Sequence, residues 1–189
     1  MTSPDFLPVR SENIPGDLKA LPQWVMWRGV PCDDGHISKK PCRLNGWPAS
    51  TTNPDTWASF DAVCQKYASG QGQFSGAGFV FRAGGGITGI DFDKVIGENG
   101  DAPPWVLRTV KAFNSYTEVS VSGTGLHIFC KGVIPDGKGR KHEPIEIYDR
   151  GRYFTVSGHA YGESRPLRNA QSEIDRLLKW MRREEPKPQ

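Results

Sequence analysis

Ile87-Thr88-Gly89-Ile90-Asp91-Phe92-Asp93 is the stretch on which the reading of this 189-residue chain turns. It follows Gly84-Gly85-Gly86 and is rich in β-branched and aromatic residues, the pattern of a strand entered from a turn. Side chains alternate along a strand, so Asp91 and Asp93 share one face while Ile90 and Phe92 share the other. Two carboxylates so placed sit about 7 Å apart and repel unless something positive lies between them. Hard divalent cations, two of them about 3.5–4 Å apart, answer that need. The alternative is an amphipathic strand that turns both acids to water. Against it, Asp is depleted in strands.

Outward from this stretch, short elements dominate. Residues 78–82 read as a strand, and the glycine turn between the two predicts a hairpin. Upstream, residues 14–21 suit one or two helical turns and residues 23–28 a strand with aromatic anchors. Residues 29–52 are rich in turn formers. A helix is expected over 57–68, with Asn53 or Asp55 as its cap. Downstream, Pro103-Pro104 opens a helix to about residue 114, with the prolines in the first turn, where a missing N–H costs nothing. Strands are expected at 116–121, 126–131, 145–148 and 153–156, then an amphipathic helix over 172–183. This is an α/β (α+β) pattern. Twenty-two glycines and 15 prolines fit the many turns.

Three further segments carry candidate chemistry. Glu146 lies between Ile145 and Ile147 on a short strand; beside the Asp91/Asp93 strand it would complete a carboxylate trio, and elsewhere it would be an ordinary polar-face residue. Residues 120–125, Ser-Val-Ser-Gly-Thr-Gly, form a turn whose N–H groups and hydroxyls can hold phosphate oxygens. His127 follows on the face opposite Leu126 and Ile128, able to donate to a phosphate or to act as a structural residue. Arg28, Lys39, Lys40 and Arg43 surround Trp24, Trp27 and Trp47, and basic residues interleaved with aromatics suit a single-stranded template. Arg152, close in sequence to Glu146, could clamp a triphosphate.

Two motif matches fail. Gly84-Gly-Gly-Ile-Thr-Gly89 fits GxGxxG but runs into a strand, so no helix terminus receives an anion. Residues 132–139 resemble a phosphate-binding loop, yet Gly139 stands where a Ser or Thr should bind magnesium. The composition removes other classes. Lys and Arg number 24 against 21 Asp and Glu, a net charge of +3 that permits a nucleic-acid partner without demanding one. The four cysteines are scattered without a CxxC pair, so neither zinc nor a disulfide framework is expected. No apolar run reaches membrane-span length and the N-terminus lacks the pattern of a signal peptide, which together predict a cytoplasmic protein with no membrane partner.

Together these residues resemble the archaeo-eukaryotic primase superfamily, specifically its primase–polymerase modules from phage, plasmid and prophage replication proteins. The resemblance rests on Asp91-Phe92-Asp93, on Ser120 to His127, and on Glu146 followed by Tyr148-Asp-Arg-Gly-Arg152. It also takes in Leu21 to Arg28, Lys39-Lys40-Pro41 and Asn53 to Trp57. It implies a two-lobed fold with an RNA-recognition-motif-like antiparallel catalytic sheet. The expected layout is an arm (1–13), a catalytic domain (14–170) with a smaller N-terminal lobe (14–75) and a catalytic lobe (76–160), then a helix and linker (171–189) toward a helicase region.

By match, Asp91, Asp93 and Glu146 would be catalytic and hold two Mg²⁺ or Mn²⁺ ions. Ser120, Ser122, Gly123, Thr124, His127 and Arg152 would bind the incoming NTP or dNTP. Arg28, Lys39, Lys40 and Arg43 would contact single-stranded or primed DNA. A fused or associated helicase is the expected partner. The activity so implied is template-directed nucleotidyl transfer; a non-enzymatic single-strand-binding module and a metal-dependent nuclease are the rival readings.

Overall fold

The computed structural model describes residues 6–69 and 74–184. A short helix α1 (Gly16–Lys19) precedes β1 (Trp24–Pro31) and β2 (Ile37–Cys42). Then come α2 (Phe60–Ser69), β3 (Gly76–Phe81), β4 (Ile87–Phe92), α3 (Pro104–Phe113), β5 (Tyr116–Val119) and β6 (Leu126–Lys131). The chain continues through β7 (Arg140–His142), β8 (Ile145–Tyr148), β9 (Arg152–Val156) and α4 (Gln171–Glu184). The strands form two antiparallel sheets, one ordered β2-β1-β3-β9 and the other β5-β6-β4-β8-β7. An α+β fold results.

The helices begin and end where local chemistry allows. Ser59 Oγ accepts the Ala62 N–H at the start of α2. Asn53 instead caps a 3₁₀ turn over Pro54–Thr56, so helix α2 starts three residues later than the spacing from Trp57 predicted. The intervening Ala58 is extended and pairs with Trp24. Helix α3 has proline at its first position and ends on Asn114 in the left-handed conformation (φ 46°).

The hairpin expected between residues 78–82 and 87–93 does not form. Strand β3 pairs with β1 and β9, and β4 pairs with β6 and β8. Each is interior to its sheet, so both edges of both strands are taken and the glycine turn carries the chain from one sheet to the other. The expected boundary at 75/76 likewise does not separate the sheets, because β3 and β9 complete the sheet that β1 and β2 begin. Strand β2 lies within the stretch rich in turn formers, and β7 in one for which no element is expected. Both are polar edge strands, and the proline in β2 (Pro41) is tolerated at an edge.

Two cores sandwich the five-stranded sheet. One face carries Ile90, Phe92, Leu126, Ile128, Cys130, Ile145 and Ile147 against Val106 and Phe113 of α3 and Ile174, Leu178 and Met181 of α4. Burying a side chain of this size stabilises by about 1.5–3 kcal/mol before entropy is counted. The other face packs on the four-stranded sheet through Tyr116, Phe129, Phe79, Phe81 and Phe154, with Phe81 stacked on Phe129 at 6.0 Å. At Gly89 the sheets approach so closely that a Cβ would lie 2.2 Å from the Phe81 ring; only glycine fits. Strands β4 and β5 run parallel with β6 antiparallel between them and α3 as the crossover, a split β-α-β arrangement.

The described part of the expected N-terminal arm, residues 6–13, lies against the fold. Leu7 N–H donates to Val121 O and Arg10 N–H to Ser157 O, while the Phe6 ring meets Trp27 edge-on. No described helix is long and apolar enough to cross a membrane.

Candidate active site

The inner face of β4 changes character along its length. Ile87 is buried in the inter-sheet core, Gly89 touches Phe81 and Phe154, Asp91 is half-buried, and Asp93, just past the strand end, is exposed. Where the sheets part, the register lines up one residue from each of five strands. Glu118 of β5 is opposite His127 of β6, His127 opposite Asp91 of β4, Asp91 opposite Glu146 of β8, and Glu146 opposite Lys141 of β7. Directly opposed residues share a face, so a row of ionisable groups crosses the sheet.

The contacts within the row are short. His127 Nε2 is 3.5 Å from Asp91 Oδ1 and its Nδ1 is 3.4 Å from Glu118 Oε1. Lys141 Nζ is 2.7 Å from Glu146 Oε1, and the Tyr148 hydroxyl donates to Glu146 Oε2 at 2.9 Å. The structure thus brings Asp91, Glu146 and His127 side by side, with Asp93 next along the strand. Three carboxylates on one face are hard oxygen donors suited to a divalent cation, and the Lys141 ammonium already answers the negative charge at one end of the row.

Burial pushes the Asp91 carboxyl above its usual range. His127 opposes the rise, Glu146 and Asp93 add to it, and Lys39 opposes it. Crowding of like charge is therefore part of this site as built, and a cation between the acids relieves it. Lys39 enters from β2 of the other sheet. Burial lowers its pKa, and the charges of Asp91 and Asp93 raise it in turn. The lysine read as a template contact thus faces the carboxylates, whereas Lys40, its neighbour in sequence, is exposed opposite Arg28.

The turn from β5 to β6 is docked at the end of β4. Ser120 is buried and builds the turn. Its N–H donates to Gly125 O, its carbonyl accepts from Gly123 N–H, and its Oγ accepts from Gly125 N–H. Gly123 adopts φ +78°, which glycine permits without strain. Exposed at the tip, the Ser122 and Thr124 hydroxyls lie 3.1 Å apart. Arg152 is exposed, with its guanidinium over the Tyr148 ring at 5.2 Å; Tyr148 in turn bonds Glu146.

The expected basic–aromatic surface is only partly present. Trp24 and Trp27 are fully buried core residues, because β1 lies inside its sheet. Trp47 is 71% exposed, beside exposed Arg43, and Arg28 lies over the Phe74 ring at 4.8 Å. Among the described residues, one set of three candidate ligand atoms lies within 4.8 Å, those of Cys32, Asp34 and His36 in the exposed β1–β2 turn. Among the described residues no trio from the carboxylate row meets that spacing; Glu146 instead contacts Lys141 and Tyr148.

Sequence reasoning missed Glu118, Tyr148 and Lys141 as members of this site. The available signal for Glu118 was its place in β5, two residues from Tyr116 on the same face, an unusual position for an acid in a strand.

No protein-family model matches the chain. A DNA primase-polymerase from Nitratiruptor phage NrS-1 is 33% identical over 153 residues, which cover 76% of this chain and 20% of that protein. The chain thus spans about a fifth of the length of that relative. Five ionisable side chains are aligned in one row across the sheet, and by this likeness the chain belongs to the primase–polymerase family.

Proposed function

We propose that this chain carries template-directed nucleotidyl transfer, as the primase/polymerase module of a mobile-element replication protein. The primer 3′-oxygen bonds to the α-phosphorus of an incoming NTP or dNTP, and the bond to the bridging oxygen breaks to release pyrophosphate. The observation that carries this reading is the cross-strand pair of Asp91 and Glu146, flanked by His127 and continued by Asp93. A module that only binds single strands gains nothing from acids on its face, since they repel phosphate.

Asp91, Asp93 and Glu146 would hold the divalent ions, Mg²⁺ or Mn²⁺. Bound there, the pair would lower the pKa of the attacking hydroxyl and offset the charge of the departing pyrophosphate. Ser122, Gly123 and Thr124 present hydroxyls and backbone to the triphosphate, and His127 closes the same pocket from the strand behind. Ser120 holds that turn in shape. Arg152, steadied by Tyr148, supplies a guanidinium for a phosphate. Arg28, Lys40 and Arg43 attract the template backbone, and Lys39 offsets negative charge at the carboxylates. Partners on this reading are primed or single-stranded DNA and a fused or associated helicase, in a cytoplasmic setting.

The test is extension of a labelled primer on a DNA template with Mg²⁺ or Mn²⁺. Asp91→Ala and Asp93→Ala should each lower incorporation by about 10³-fold, with circular dichroism and DNA retention near those of the parent protein. Undiminished extension by either variant refutes the assignment, and cleavage in place of extension favours a nuclease.

A further inference from the structure

Glu118 is completely buried in an antiparallel edge strand, where an uncompensated carboxylate is costly. Its compensation is unusually full. Oε2 accepts from the Tyr116 hydroxyl at 2.8 Å and from Gly158 N–H at 2.9 Å. Oε1 accepts from Ser157 N–H at 3.1 Å and faces His127 Nδ1 at 3.4 Å. Burial and Glu118 together push the Tyr116 phenol far up, so it stays protonated and donates. Three donors other than histidine therefore fix this carboxylate, and it is a rigid acceptor for the imidazole.

The ring it faces has little freedom. His127 is 5% exposed and stacked on Phe154 at 4.8 Å, and it meets Phe129 edge-on. With Nδ1 turned to Glu118, Nε2 points toward Asp91 and the cleft. Which ring nitrogen carries the hydrogen is set by the bond the other one makes. Ser157 and Gly158 follow β9 of the four-stranded sheet, so the same carboxylate also ties that sheet to the strand that precedes the phosphate-facing turn.

We infer that Glu118 is a positioning residue: it accepts the Nδ1–H of His127 and so fixes the ring with its Nε2 edge turned to the cleft that the triphosphate of the incoming nucleotide enters. This rests on the nucleotidyl-transfer reading above for the identity of the ligand. The orientation of the ring does not depend on that reading.

Two measurements separate the claims. In the unmutated protein, long-range ¹H–¹⁵N correlation of the His127 ring, recorded where the ring is neutral, should show the Nδ1–H tautomer. Finding Nε2–H overturns the inference, whether or not the protein extends a primer. The second is a mutant cycle read as nucleotide KM and kcat in primer extension. Glu118→Ala should raise KM by about tenfold, the scale of lost outer-shell support, with kcat changed far less. Glu118→Gln should raise it less, because its amide oxygen still accepts from Nδ1. In a His127→Ala background neither change should raise KM further. An equal rise with and without the histidine means that Glu118 acts on the scaffold alone and overturns the role. Should Glu118→Ala not fold, Glu118→Gln carries the same cycle. A protein that extends no primer but shows the Nδ1–H tautomer defeats the polymerase reading, and the role toward nucleotide falls with it.

Discussion

The two faces of the five-stranded sheet are built from alternate residues of the same strands and have opposite designs. On the helix side, Ile90, Phe92, Leu126, Ile128, Ile145 and Ile147 are no more than 2% exposed and make an apolar layer under α3 and α4. On the other side, the residues between them are Asp91, His127 and Glu146. A one-residue slip of any strand would move its whole apolar set to the wrong face, so the helix side alone specifies the register. The charged row is aligned as a result. The cost of holding three acids and a histidine together is met on the face that does no chemistry.

That division can be broken from either side. The largest effect is expected on the charged face. Glu146→Gln should lower primer extension by about 10³-fold, the loss expected of Asp91→Ala, with the melting temperature changed little; an active Glu146→Gln would separate β8 from the site.

On the helix face, Ile128→Ala should cost about 2–5 kcal/mol in chemical denaturation. Its residual activity per folded molecule should match the parent at low temperature. Unequal activity would mean that the apolar layer tunes the site as well as the register.

The third test uses the crowding at Asp91. Its folded pKa lies above the ordinary 3.8, so between the two values the folded state binds more protons than the unfolded one. Stability of the metal-free protein should therefore rise as the pH falls through the folded pKa toward 3.8, and be lowest above it. Asp91→Asn should remove this dependence and raise the melting temperature at neutral pH by about 2–4 °C for each kcal/mol relieved. Thermal scans from pH 4 to 8 in chelator check the sign, and a loss of stability in Asp91→Asn contradicts it. Added Mn²⁺ should stabilise the parent more than the variant.

The smallest effect belongs to Lys141, an exposed partner of Glu146. Lys141→Met should leave the melting temperature nearly unchanged and tighten divalent binding by freeing a carboxylate oxygen, as calorimetric titration would read.

Much of this was legible in the chain. Strand β4, the strands carrying His127 and Glu146, and helices α3 and α4 follow from periodicity because each buries one apolar stripe. Strands β2 and β7 were not, since an edge strand built of Lys, Ser, Arg and His buries too little to leave a signal. The split of β3 and β4 between two sheets was hidden for another reason. Adjacent strands across a glycine turn pair by default, and only the full set of partners shows that neither has an edge to spare. Asp91, Asp93 and Glu146 could be singled out by type and place. Glu118 left only a faint signal, an acid inside a strand, and Lys39 was read toward the template, since what each does comes from what the fold sets beside it.

Strand β9 joins the sheet begun by β1 only after the chain has threaded every strand of the other sheet. The five-stranded sheet is one run of sequence, β4 to β8, set inside the other, and helix α4, which covers it, comes only after β9, so neither layer can be inherited, deleted or grafted alone. Any exchange that preserves the fold must carry residues from β1 through α4 as one cassette, and a fragment ending near residue 150 would keep Asp91, Asp93 and Glu146 yet lose Phe154, the wall against which His127 rests.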